Sequence, residues 1–256
     1  MIKFFRHIRK SLIEKNQMGK YFKYAIGEII LVTIGILIAL QINNWNENRI
    51  QDEKTKGLLV RLLKETEANQ NTLISNLKLY KKIKETNTTF LNLFGTNVKE
   101  VNNTKLDSLF LNSAFDFTLG ITSNSLKEAM DNGQVSTIKS EELRSRLYQF
   151  VFLEEYVRER INLYNYDSNN FLMPFLYKNM NLRSINSGNF SKQYEKLLPS
   201  KMKNTDYNSL LNNREFENLV NSKFAYTNEL MINIKMLQRF LSLIKNLLEE
   251  ELKNYK

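Results

Sequence analysis

The sequence predicts an all-α protein: an N-terminal interfacial helix and one transmembrane helix, followed by an elongated antiparallel helical bundle with three long helices and several short ones. Three observations carry this. Gly 8 and Pro 2 in 256 residues leave too few turn formers for a sandwich or barrel. One run, residues 24–42, holds a single charge. Beyond it, apolar residues recur every three or four positions over three long stretches, the spacing of helices packed along a seam.

The first element is a basic amphipathic segment, residues 1–23. Residues 1–24 carry seven bases and one acid, so more than half of the chain's net charge of +10 sits in its first tenth. Met1, Phe5, Ile8 and Leu12 share one helical face, with Phe4 beside it; Lys3, Arg6, Arg9 and Lys10 lie elsewhere. A helix of this kind rests in the interface of an anionic leaflet. The expected partner is therefore a bilayer with an anionic inner leaflet, with Lys3, Phe4, Phe5 and Arg6 among the anchors. His7, the one histidine, reads as an exposed residue of the polar face.

The second element is the span, residues 24–45. A 19-residue helix reaches about 28 Å, close to the roughly 30 Å hydrocarbon core. Tyr21 and Tyr24 stand at one end and Trp45 at the other, where amphipathic rings favour the interface. The stretch before it is too long for a signal peptide, and Ile38-Ala39-Leu40-Gln41 lacks a small-x-small cleavage pattern. The positive-inside rule puts residues 1–23 in the cytoplasm and the remainder across the membrane. The expected location is the bacterial inner membrane with a periplasmic C-terminal domain.

The run Met1-Ile-Lys-Phe-Phe-Arg, continued by Gly19-Lys-Tyr-Phe-Lys-Tyr-Ala-Ile-Gly-Glu and on through Asn43-Asn-Trp-Asn-Glu-Asn-Arg49, resembles the start of a large uncharacterised family of bacterial single-pass membrane proteins, a domain-of-unknown-function group. The resemblance continues more loosely through Asp116-Phe-Thr, Asn132-Gly-Gln-Val-Ser-Thr-Ile138 and Glu215-Phe-Glu-Asn-Leu219. It implies a helical extracytoplasmic domain on a membrane anchor, and it supplies no activity, substrate or cofactor.

Within the span, Glu28 costs free energy, up to about 3 kcal/mol for a charged residue at the centre of a helix and less near its edge. Helical rotation puts Gly27, Glu28, Gly35 and Ala39 on one stripe. Gly35 and Ala39 form a small-xxx-small pair that lets two backbones approach. The stripe reads as an association surface, with Glu28 hydrogen-bonded across it, which implies a homo-oligomer or another membrane protein as partner. Two other readings of Glu28 stand beside this one: snorkelling to the headgroups or pairing with a neighbouring Lys, and carrying a proton.

The third element, residues 46–256, is the extracytoplasmic bundle. Its first seam runs Leu59, Leu62, Thr66, Asn69, Leu73, Leu77, Tyr80, Ile83, Asn87, Phe90 and Phe94, continuous with the span and closed by Gly95 in a left-handed cap. Asn69 and Asn87 weaken the seam, set its register or stand at the surface. Thr104 and Asp107 resemble a capping box before a short helix at Leu106–Leu111. Ser123–Asn132 is another short helix, closed by Asn132-Gly133, with Gln134–Ile138 extended. Ser140 caps the second long helix, which runs to about Asn179, with Pro174 kinking it or starting a new segment. Tyr194–Leu198 and Tyr207–Leu211 are short. The last helix, Asn213–Asn254, carries Phe216, Leu219, Val220, Phe224, Leu230, Met231, Ile234, Leu237, Leu241, Ile244, Leu248 and Leu252. The expected path is up, back and up again, which leaves the C-terminus far from the bilayer.

For function, the composition mainly excludes. No Cys removes thiolate metal sites, disulfides and thiol nucleophiles, and one His removes any site needing two imidazoles. The sequence offers no catalytic residue, no metal ligand set and no cofactor, and the chain reads as a non-enzyme. Glu154-Glu155 and Glu249-Glu250-Glu251 read as solvated helix faces. Asp116 and Asp131 sit near loop or helix ends, where caps are commoner than chemistry. The basic block serves the membrane, so no nucleic-acid partner is expected. Of Tyr148, Phe150, Phe152, Tyr156, Tyr164 and Tyr166, most belong in the core, and a surplus would form a partner groove. The expected function is that of an interaction or scaffold subunit of a cell-envelope complex. The alternative is a ligand-sensing or energy-transducing accessory protein that uses Glu28.

Overall fold

The computed structural model describes residue 14 and residues 18–96, 106, 107, 109, 110, 113, 116–189 and 200–255. Among these there is no strand, and the protein is all-α. Lys3, Phe4, Phe5 and Arg6, the Thr104 cap and the helix expected at Tyr194–Leu198 lie outside the described residues. In chain order the helices are α1 (Met18–Leu91), α2 (Asn124–Asp131), α3 (Glu141–Asp167), α4 (Met173–Asn179), α5 (Leu182–Asn189), α6 (Tyr207–Leu211) and α7 (Arg214–Leu252). The chain divides into two units, Met1–Gly57 with Tyr255 and Leu58–Asn254 with Lys256.

In the first unit, the residues of α1 carry the apolar run. The helix has an 18-residue window with mean hydropathy 2.3, none of it buried in the protein, which makes it long and apolar enough to cross a membrane. Thr33 satisfies its hydroxyl within the helix, donating to the Ile29 carbonyl at 2.8 Å. Past the apolar run, polar side chains pair along the surface, as in Asn43 to Glu47 and Arg49 to Glu53.

In the second unit, α1 buries the expected seam. Leu59, Leu62, Leu73, Tyr80, Ile83 and Phe90 are all in the core, each large aliphatic stabilising the fold by about 2 kcal/mol on burial. Gly95 has φ 73°, the left-handed geometry expected of it, but its N–H donates to the Leu211 carbonyl at 2.9 Å. The turn therefore docks on α6 as well as ending α1. The predicted Ser140 cap is present, and Asn213, expected as the first residue of the last helix, caps α7 instead. Ser140 Oγ accepts from Leu143 N–H at 3.1 Å, and Asn213 Oδ1 accepts from Phe216 N–H at 3.0 Å. Gly133 follows α2 with φ 68°. Gln134–Thr137 is a 3-10 turn rather than an extended segment. Pro174 opens α4 after a π-helical turn, Ser168–Leu172. The wider turn gives room to a proline ring that cannot donate to the carbonyl four residues back.

The path of the chain differs from the expected up, back and up. Among the described residues, the return along α1 is made by Phe110 and residues 116–139. The Phe110 ring meets Phe90 at 4.6 Å, Thr118 meets Tyr80, Thr122 meets Asn69, Ser125 meets Glu65, and Glu128 meets Arg61. Helix α3 then runs parallel to the 58–91 part of α1, and α7 runs antiparallel to both. Its Phe216 packs near Phe90 at 5.5 Å, while Lys245 pairs with Glu67 at 2.8 Å and Glu251 reaches Lys139 N–H at 2.8 Å. The far end of α7 thus returns to the level of residue 58 within this unit. The physical reason is rise per residue. From Tyr80 to Asn69 is 11 residues of helix, about 16 Å, and an extended chain at about 3.3 Å per residue covers that with the few residues between Phe117 and Thr122. The extended stretch between Phe117 and Thr122 leaves no helical periodicity in the sequence.

One end of the unit holds an aromatic core. Phe216 stacks on Phe110 at 5.4 Å and on Phe175 at 5.1 Å, and meets Phe90 edge-on. Leu106, Leu172, Leu176, Tyr207 and Leu211 close around these rings.

Candidate functional site

Three features of the described residues carry polar or surface chemistry. The first lies in the 18–57 unit. Gly27, Glu28, Gly35 and Ala39 all lie on continuous helix. Lys23, Tyr24, Gly27, Glu28 and Leu31 line a shallow cleft of about 240 Å³. A Cβ built on Gly27 or Gly35 meets nothing within 4 Å, so both present bare backbone on an open face. Tyr24 and Trp45 are exposed, and Tyr21 is half-buried.

The second feature is a clamp around residues 116–123. These residues have no strand to pair with, so side chains take up their backbone groups. Asn165 makes a closed pair with Phe117, donating to its carbonyl at 2.8 Å and accepting from its N–H at 2.8 Å. Asn76 Nδ2 donates to the Leu119 carbonyl at 2.7 Å. The Tyr80 hydroxyl donates to the Thr118 carbonyl, and burial pushes its pKa up to about 12. Asn69 pairs with Thr122 in the same closed fashion. Glu65 accepts from Thr122 Oγ1 and Ser125 N–H. Gly120, with φ 66°, passes so close to α1 that a Cβ there would lie 3.3 Å from Thr72 Cγ2. Of the readings open to Asn69, the surface position is excluded, since it is 4% exposed, and its side chain pairs with the backbone that crosses the seam.

Lys223 closes the clamp from α7. It is 2% exposed, donates to Ser168 Oγ at 3.2 Å, and sits over the Phe117 ring at 4.5 Å. Burial lowers its pKa to about 8, and the nearby Asp116 and Asp167 carboxylates oppose that shift. Asn169 reaches Asp116 at 3.4 Å. An ammonium held this deep braces the limb from within, and its amine faces a ring and a hydroxyl. The sequence reading passed over Lys223. The available signal was its place in the seam Phe216, Val220, Lys223, Thr227, Leu230, where three- and four-residue spacing demands a buried side chain.

The same spacing corrects two acidic readings. Glu154 and Glu251 are buried, not solvated. Glu154 falls in line with Phe150, Val157 and Ile161, and pairs with Arg158 at 2.6 Å. Glu251 falls in line with Ile244 and Leu248, and its carboxylate accepts from Lys139 and Ser140 N–H, at the start of α3. Asn87 is wholly buried too.

The third feature is a row of exposed apolar residues along α3. Phe150 and Tyr164 are core residues, whereas Tyr148, Phe152, Tyr156 and Tyr166 are exposed, Phe152 at 78%. Most of the six aromatics are therefore on the surface, which reverses the expectation. Phe152, Tyr156, Leu163 and Tyr166 stand opposite the buried line Phe150, Glu154, Val157, Ile161 and Tyr164. Helix α3 thus has two apolar lines, one packed and one facing out.

Residues 28–173 match the model of a family described only as a family of unknown function, DUF6090. The match takes in the end of the N-terminal run, the clamp and the whole of α3. No curated protein and no solved structure matches the chain.

Proposed function

The chain belongs to the family of unknown function DUF6090, and we propose that it is a membrane-anchored interaction protein, a scaffold subunit of a cell-envelope complex. In this reading the apolar part of α1 crosses the bacterial inner membrane and residues 1–23 lie against an anionic cytoplasmic leaflet. The helices after residue 57 form an elongated bundle in the periplasm. One observation carries the interaction role: α3 turns a second apolar line outward, with Phe152 at 78% exposure. Isolated exposed hydrophobics are ordinary, whereas a row of large rings on one helix face marks a contact surface. The Gly27, Glu28, Gly35 and Ala39 stripe supplies a second contact within the bilayer.

A photo-activatable residue in place of Phe152, in the full chain in its native membranes, tests the reading. The expected result is one discrete protein adduct. A clean absence of adducts at Phe152, with the same residue at Tyr156 also silent, removes it. The orientation is tested separately, since a phosphatase fused after residue 256 is expected to be active.

A second reading rests on the carboxylate of Glu28 beside the small cleft in the apolar helix. It makes the chain a proton-dependent accessory protein. Glu28→Gln is then expected to abolish function with assembly intact.

A further inference from the structure

Helix α7 also turns an apolar line outward. Ile232, Met236, Arg239 and Leu243 follow one another at intervals of four, three and four residues, and with Lys235 and Phe240 they line a surface groove of about 570 Å³. The outward line of α3, read as Phe152, Tyr156, Glu159 and Leu163, has the same intervals. Each line is apolar apart from one charge at its third place, Glu159 in α3 and Arg239 in α7.

The two lines fit each other in one antiparallel register. With Glu159 opposite Arg239, Leu163 falls beside Met236, Tyr166 beside Ile232, and Tyr156 beside Leu243. Apolar meets apolar from Tyr156 to Tyr166, Phe152 falls beside Asn246, and the two central charges have opposite sign. Glu155 stands one turn before Glu159 and Lys235 one turn before Arg239, so the antiparallel register sets them at opposite ends, Glu155 beside Leu243 and Lys235 beside Leu163. Among the described residues none of these four makes an ion pair within the chain. The two arginines flanking Glu159 are engaged within α3, Arg158 with Glu154 and Arg160 over the Tyr156 ring at 5.3 Å.

The two lines lie on different helices of one bundle and face away from the contact between those helices, so they meet only between molecules. We propose that the outward line of α3 docks in the α7 groove of a second copy of this chain, with Glu159 paired to Arg239 of that copy. This rests on reading the α3 row as a contact surface. The contact is head-to-tail, because one patch meets a different patch on the neighbour, so it repeats into a ring or a row. Copies that share one orientation, as chains anchored in one membrane do, present α3 to a neighbour's α7 in the antiparallel sense that the register needs; since Tyr164 lies level with Tyr226 and Lys139 with Glu251 within one chain, Glu159 meets Arg239 between copies offset by about 12 Å along the bundle. Anchoring also raises the effective concentration of copies, so a contact of about four helical turns suffices.

The chain contains no cysteine, so introduced thiols are unique. The test uses the full chain in membranes, with two differently tagged copies carrying Leu163→Cys and Met236→Cys and a short bismaleimide crosslinker. The mixed adduct is expected at least fivefold above the adduct from either variant alone. A chain carrying both cysteines is expected to give a ladder beyond the dimer. Glu159→Arg on the first copy, or Arg239→Glu on the second, is expected to reduce the mixed adduct several-fold, and the two together to restore it. Both positions are exposed, so the fold tolerates either change. An adduct as strong from Leu163→Cys alone overturns the head-to-tail pairing, and so does failure of the double reversal to restore it. If the Phe152 adduct contains a different protein and no copy-to-copy adduct forms, self-docking falls while the interaction reading stands. If neither adduct forms, both fall.

Discussion

Asn69 and Thr122 exchange two hydrogen bonds: the Asn69 amide donates to the Thr122 carbonyl at 2.6 Å, and the Thr122 N–H donates to Asn69 Oδ1 at 3.0 Å. A single side chain thus satisfies both backbone groups of a residue 53 positions away in sequence. In a sheet that pairing would come from a neighbouring strand. Here an asparagine on a helix supplies it, as Asn165 does for Phe117.

Asn69→Leu is isosteric enough to fill the site but leaves two part-buried backbone groups of Thr122 without their partner. It is expected to lower stability by about 1–3 kcal/mol, from about 0.5–1.5 kcal/mol net for each hydrogen bond lost. Urea unfolding of the full chain in detergent, followed by helical dichroism, reads the change. A loss below 1 kcal/mol would mean that the clamp is not needed.

Lys223 gives a pH dependence with a definite sign. Its pKa is about 8 in the folded protein and ordinarily 10.5. Between these values the unfolded chain binds more protons, so stability rises with pH across that window. Buried tyrosines oppose this at higher pH. Tyr80, at about 12, and Tyr164 and Tyr207, pushed up mainly by burial, keep their protons while the unfolded chain releases them near 10. Stability is expected to climb from pH 8, peak just below 10, and fall beyond. Lys223→Met should remove the climb and raise stability at pH 7 by about 1–3 kcal/mol, the desolvation cost less the lost Ser168 hydrogen bond. A climb that survives the substitution assigns it to another group.

Glu251 acts at a distance in sequence as a cap for α3. Glu251→Ala removes the acceptor for Lys139 and Ser140 N–H, and is expected to cost about 1–3 kcal/mol. Glu250→Ala, one residue away on the exposed side, should change stability by less than about 0.5 kcal/mol. Thermal unfolding of the pair distinguishes a buried cap from a general charge effect.

Gly35→Leu tests the stripe of the apolar helix. It replaces bare backbone, which has nothing within 4 Å of its Cβ position, with a side chain that blocks close approach. In a membrane two-hybrid assay the association signal is expected to be lost, while Ile36→Leu keeps it. An equal signal from both variants would move the contact off this face.

The sequence held the elements well, because helices announce themselves locally. The three- and four-residue spacing of Leu59, Leu62 and Leu73 marked the buried face of α1, and Ser140 and Asn213 stand one residue before the helices they cap. The same local rule, applied to charged residues, already contained Glu154, Lys223 and Glu251. They were misread or passed over because charge was taken to mean solvent. Spacing is a statement about position, and in these three cases it overrides residue type, since each side chain finds a partner: Arg158, Ser168 and two backbone amides.

By itself, then, the sequence determined an all-α chain with one apolar helix near its start, where those helices begin and end, and that a run of basic residues precedes the apolar one. Tertiary structure decided the order of the path, the clamp on residues 116–123, and which aromatic residues of α3 face out. The reason is range. A helix is closed by bonds four residues apart, so its signal lies within its own sequence. The hydrogen bonds from α1 to the return limb join residues between 38 and 67 positions apart, from Tyr80 with Thr118 to Arg61 with Glu128, and no local pattern records which residue will meet it.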